Sequence, residues 1–115
     1  MDNQSLAGFS ILIVEDEPLV LFDIESVFVD AGASVSTAVS LKDALQKVEQ
    51  PDLAAAVLDF GSDGHELCLR LQERGIPFIL HSGYGRAGER CNGGLVIPKP
   101  ADPQALVEGV VRFLR

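Results

Sequence analysis

Apolar residues along this chain fall into two alternating patterns, short unbroken runs and longer stretches with three- and four-residue spacing. The unbroken runs are Ser10-Ile-Leu-Ile-Val14 with Glu15, Leu53-Ala-Ala-Ala-Val-Leu58, Phe78-Ile-Leu80 and Leu95-Val-Ile97, and residues 34–38 read as a further short strand. Runs without polar alternation suit strands buried on both faces of a parallel sheet. After the first run, Val20, Ile24, Val27, Phe28 and Ala31 recur at helical spacing. Pro18 fits the first turn of that helix and Gly32 its left-handed stop. Ser40, with Asp43 three residues on, resembles a capping box opening a second helix that Pro51 bounds. Asp63 and Glu66 open a third, carrying Leu67, Leu69 and Leu71 and ended by Gly75. Asp102-Pro103 caps a last helix burying Leu106, Val110 and Phe113. Between Ser82 and Gly94, five glycines in thirteen positions argue against a full helix. The alternation predicts an α/β fold, a parallel sheet with helices on both faces.

Composition narrows the picture. The 115 residues fit one domain, 1–115, and no repeat, linker or output domain is expected. A hydrophobic share of 47% supplies a core and argues against disorder. The net charge of −8 disfavours a nucleic-acid or anionic-membrane surface. No apolar run approaches the roughly 20 residues that span a bilayer, and the start resembles no signal peptide. Two cysteines, Cys68 and Cys91, do not suggest a disulfide framework. A cytoplasmic, reduced, monomer-sized domain is expected.

The polar residues that end the apolar runs carry the candidate chemistry. Glu15 and Asp16 close the first run, Asp59 the third, and Lys99 follows the fifth. Ligands of open parallel sheets bind outside the carboxyl ends of the strands. Three acids and an ammonium converging there would suit a divalent cation and a phosphoryl group. Oxygen-only ligands point to Mg²⁺, and two scattered His with two Cys argue against zinc. Ser82 and Lys99, at adjacent strand ends, would bind the oxygens of a phosphoryl group on Asp59. The plainer roles are a helix N-cap for Asp59, a turn for Ser82 and a solvated charge for Lys99. His65 and His81 read as ordinary polar residues.

The run Ile-Leu-Ile-Val-Glu15-Asp16-Glu-Pro18, the Leu58-Asp59 strand end, the Ser82-Gly83 step and Pro98-Lys99-Pro100 resemble the receiver domain of two-component response regulators. The resemblance covers essentially the whole chain. It implies a flavodoxin-like doubly wound sheet of order 2-1-3-4-5. It also implies Asp59 as phosphoacceptor and Glu15, Asp16, Asp59 and the Gly61 carbonyl as Mg²⁺ ligands. Ser82 would be the switch hydroxyl and Lys99 the phosphate-binding lysine. The chain departs from the family in three places. The loop after Asp59 is short and lacks its proline, the Ser82–Lys99 segment implies a fourth helix shortened or absent, and Val96 stands where the family's switch aromatic is usual. Phe78-Ile-Leu-His-Ser-Gly-Tyr84 instead resembles the motif of a single-domain alphaproteobacterial subgroup nicknamed FATGUY, with Tyr84 as either the responding aromatic or a plain loop residue.

The first helix has a second apolar stripe of Leu19, Phe22 and Val29. By the resemblance, Leu19 and Phe22 would dock a sensor histidine kinase or phosphotransfer protein, unless the segment Leu6-Ala-Gly-Phe9 covers them. The expected role is a stand-alone response regulator, not an enzyme, acting through an unknown downstream protein or as a phosphate sink. The alternative is a pseudo-receiver that binds partners without phosphorylation. A haloacid-dehalogenase-type phosphatase is disfavoured because Gly61 stands where it needs a second Asp. A monomer or weak dimer through exposed Val107 and Val111 is expected.

Overall fold

The computed structural model describes residues 4–59, 65–82, 94–98 and 102–114. Its elements are β1 Ser10–Glu15, α1 Pro18–Asp30, β2 Ser34–Ala38, α2 Leu41–Lys47, β3 Leu53–Asp59, α3 His65–Glu73, β4 Phe78–Ser82, β5 Leu95–Pro98 and α4 Pro103–Leu114. All strand pairings are parallel and their order is β2-β1-β3-β4-β5, the flavodoxin-like arrangement. Residues 83–93 lie outside the described part of the chain, and so does any helix between β4 and β5.

The continuous apolar runs bury both faces of the central strands, because successive side chains point to opposite sides. Leu12, Val14, Ala56, Leu58, Phe78 and Leu80 face one way and pack with Ala44 of α2 and Leu67 and Leu71 of α3. Ile11, Ile13, Ala55, Val57 and Ile79 face the other and pack with Ile24 and Phe28 of α1 and Leu106 and Val110 of α4. Buried apolar area on both sides of one sheet supplies the main driving force for this architecture.

The helix boundaries follow their signals. Pro18 opens α1, and Gly32, at φ 93°, follows its cap. The positive φ is what calls for glycine here, and a Cβ would also stand 3.2 Å from the Ala7 backbone. Ser40 Oγ accepts the Asp43 amide, 3.2 Å, at the start of α2. Asp102 Oδ1 accepts from the Gln104 amide at 3.0 Å, capping α4 as expected.

Several expected faces are rotated. On α1, Leu21 joins Ile24, Phe28 and Ala31 in the core, while Val20 and Val27 are half-buried. On α3, Leu67, Cys68 and Leu71 are buried and Leu69 is exposed, because residues one and four after Leu67 share its face and the second does not. On α4 the core stripe is Leu106, Val107 and Val110, so Phe113 is partly exposed and Val107 is not available for dimer contact; Val111 is half-buried. Gly109 packs close to the sheet, where a Cβ would stand 2.8 Å from Ile79 Cδ1. Cys68 is disulfide-bonded, contrary to expectation, and Cys91 lies outside the described residues. Sequence spacing carries no information on which distant thiols approach each other.

The N-terminal segment does not shield the second face of α1. Leu6 is buried against the opposite end of the helix, donating its amide to Ala31 O at 2.9 Å. Leu19 and Phe22 remain 82% and 65% exposed.

Candidate functional site

Parallel pairing brings the carboxyl ends of β1, β3 and β4 side by side. Glu15 and Asp59 are register partners at the last rung between β1 and β3. Each ends a strand buried on both faces, and their exposures are only 2% and 4%. Asp16, one residue beyond the end of β1, is exposed. Asp59 is not the N-cap of α3, which begins at His65.

The electrostatics of the acid pair are severe. Glu15 Oε2 accepts the Glu17 amide at 3.0 Å, whereas Oε1 is buried and has no hydrogen-bond partner among the described residues. Burial, with Asp59 and Asp16 beside it, pushes the Glu15 carboxyl up to about 8. Two carboxylates this close and this dry share a proton unless a cation stands between them. A hard cation with oxygen ligands answers that demand, and the buried Glu15 oxygen is a donor in waiting. Among the described residues, no group of three or more His, Cys, Asp or Glu forms a ready metal cage.

A residue that sequence reasoning set aside belongs to this site. His81 lies on β4, one position past the Leu58–Leu80 rung, and is 6% exposed. Its Nδ1 stands 3.2 Å from Asp59 Oδ2. The available signal was its place directly after the apolar run Phe78-Ile-Leu80, at the same end of the sheet as Asp59. Ser82 is the last residue of β4 and pairs in register with Pro98, the residue before Lys99. The Ser82 side chain, Lys99, Gly61 and Tyr84 lie outside the described residues.

A buried strand-end carboxylate flanked by a second acid, on a sheet of this order, points to one family, and the comparisons with known proteins agree. The family model for the response regulator receiver domain matches residues 11–111. The chain belongs to the response regulator receiver domain family. One relative of this receiver is the transcriptional regulatory protein TcrA of Mycobacterium tuberculosis. The two are 31% identical over 93 residues, 76% of this chain and 37% of TcrA, so the receiver spans well under half of that relative's length. A putative response regulator from Chloroflexus aurantiacus superposes with a TM-score of 0.79 at 30% identity, covering 92% of this chain and 97% of that one. The receiver domain of the sensor histidine kinase PA1611 of Pseudomonas aeruginosa superposes with a TM-score of 0.79 at 24% identity, covering 94% and 98%. That structure has a magnesium ion coordinated in its active site cleft. No helix among the described residues of this receiver is long and apolar enough to cross a membrane.

Proposed function

We propose that this receiver accepts a phosphoryl group on Asp59 from the phosphohistidine of a sensor histidine kinase or phosphotransfer protein. The observation that carries the reading is the burial of Asp59 beside Glu15 on register-paired strand ends. In the step, an Asp59 oxygen forms a bond to phosphorus as the donor's phosphorus–nitrogen bond breaks, its electron pair leaving with the imidazole nitrogen. Phosphoryl transfer of this kind needs little beyond alignment and charge neutralisation.

Glu15, Asp16, Asp59 and the Gly61 carbonyl would hold Mg²⁺, which when bound neutralises charge on the phosphoryl oxygens. The PA1611 receiver's magnesium and the unsatisfied Glu15 oxygen support that ligand set. Lys99 and the Ser82 hydroxyl take the remaining phosphoryl oxygens. The register of Ser82 with Pro98 supports their acting together. The new charge, about −1.5 to −2 by analogy with phosphoserine, biases the segment after Ser82, with Tyr84 as the responding aromatic in place of Val96. The likeness of Phe78–Tyr84 to the FATGUY motif supports a stand-alone cytoplasmic regulator. It would signal through a downstream protein or drain phosphate from the kinase. Leu19 and Phe22 form the kinase-docking face, supported by their exposure on α1.

The test is incubation with acetyl phosphate and Mg²⁺ followed by intact mass. Wild type gains one phosphoryl group, about 80 Da, and Asp59→Asn gains none. An unmodified wild type returns the chain to the alternative of an interaction module that binds partners without phosphorylation.

A further inference from the structure

The helices α2 and α3 pack on one face of the sheet, across from α1 and α4. Between them is a cleft of about 490 Å³, lined by Leu45, Glu49, Glu66, Leu69, Arg70 and Glu73. That size lies within the roughly 300–1,000 Å³ of ordinary binding clefts. Glu66, Leu69, Arg70 and Glu73 stand three and four residues apart on one stripe of α3, while the core takes Leu67, Cys68 and Leu71 from the opposite stripe. Leu69 is left 47% exposed, and Leu45 of α2 is half-buried. The charge of the cleft is one-sided. Arg70 is committed to Glu49 by a bidentate pair, Nε to Oε2 at 2.5 Å and Nη2 to Oε1 at 2.7 Å, and holds that carboxyl below its usual range. Glu73 reaches the same guanidinium only at 3.6 Å, and among the described residues no cation pairs with Glu66. An anionic ligand would be repelled here, and a purely apolar partner would bury Glu66 and Glu73 unpaired, at a cost. A second copy of a chain carrying −8 is disfavoured for the first of these reasons.

We propose that the α2–α3 cleft docks a basic amphipathic helix of another protein. Apolar side chains of that helix sit over Leu45 and Leu69, and its lysines or arginines face Glu66 and Glu73. Helices bind grooves in this way through anchors three and four residues apart, and basic flanks matched to acidic rims set partner and orientation. The net charge of −8 steers such a helix towards the chain, and the cleft gives it a place to stop. Because the cleft lies across the sheet from α1, a helix seated there leaves Leu19 and Phe22 open, so both surfaces are usable at once. The docking does not depend on Asp59 being phosphorylated.

The experiment titrates the ¹⁵N-labelled full chain with a synthetic amphipathic Leu/Lys peptide and follows the amide shifts. A Leu/Glu peptide of the same pattern is the charge control. Saturable shifts should gather on Leu45, Glu49, Glu66, Leu69 and Arg70, with none comparable on α1 or α4, and the Leu/Glu peptide should not bind. Leu69→Ser should weaken the Leu/Lys peptide about tenfold, and Glu66→Gln with Glu73→Gln about fivefold. Asp23→Asn with Glu108→Gln removes the same charge from exposed positions elsewhere and should change affinity by less than about twofold. Shifts centred on another face, or no shifts, overturn the proposal. Unchanged affinity in Leu69→Ser overturns it, since the anchor would then be idle. Equal weakening by the two charge-removing pairs also overturns it, because the attraction would then be to net charge alone. Self-association of the free chain that Leu69→Ser abolishes would give the cleft to a second copy instead. Leu69 lies outside the core, so melts of its variant should match wild type, and the wild-type shift map needs no variant at all.

Discussion

Glu15 sits between two demands. As the last residue of a strand buried on both faces it is kept from water, and as the register partner of Asp59 it stands beside another acid. Both effects favour its protonated form and raise it from 4.5 to about 8. The consequence for stability has a definite sign. Between these values the folded chain binds a proton that the unfolded chain releases, so the contribution of Glu15 to stability is greatest at low pH and is lost as pH rises towards 8. Urea unfolding of the metal-free protein at a series of pH values should show wild type losing stability relative to Glu15→Gln over this interval. Parallel pH profiles would contradict the assignment. Mg²⁺ should offset the loss above neutrality, because a ligand that binds only the folded state stabilises it by mass action.

His81 is the residue-scale lesson of the opposite kind. Asp59 was legible because an acid closing an apolar run is conspicuous. A histidine following Phe78-Ile-Leu80 is equally placed, but the apolar run ends at Leu80 and by itself assigns the next residue no role. Extending β4 to Ser82 turns it towards Asp59.

At the scale of elements, strands were easier to read than helix faces. An unbroken apolar run buried on both sides has no orientation to get wrong, and β1 and β3 match their runs nearly to the residue. A helix rich in leucine and valine offers several apolar stripes, and packing selects among them. On α3 the choice excludes Leu69, and on α4 it takes in Val107. This makes a sharp prediction for two leucines two residues apart. Leu71→Ala should cost about 2–5 kcal/mol in chemical denaturation, as for other buried leucines. Leu69→Ala should change stability by less than about 0.5 kcal/mol. Equal effects would contradict the rotation of α3. The cap of α2 belongs to the same scale: Ser40→Ala should cost about 1 kcal/mol, because the Asp43 amide loses its acceptor.

At the scale of the molecule, one sheet divides two cores and delivers its strand ends to one edge. The alternation of strands and helices made a parallel sheet covered on both faces legible, whereas the strand order was legible only through the resemblance to receiver domains. What the chain does with its surface was less so. The N-terminal segment and the outer face of α1 are both apolar, and nothing in their spacing says whether they meet. Leu6 instead enters the core near Phe28 and Ala31, leaving Leu19 and Phe22 in solvent. Replacing Phe22 with Asp should therefore leave the melting transition nearly unchanged. It should slow phosphotransfer from a cognate kinase while sparing phosphorylation by acetyl phosphate. An unaltered kinase rate would remove α1 from the docking surface.

The central claim is that the phosphoryl group enters at Asp59. After reaction with acetyl phosphate and Mg²⁺, borohydride reduces an acyl phosphate to an alcohol, and tandem mass spectrometry of the digested chain locates the change. The account predicts homoserine at position 59 and aspartate everywhere else. An acyl phosphate trapped at any other carboxylate, or none at all, would contradict it.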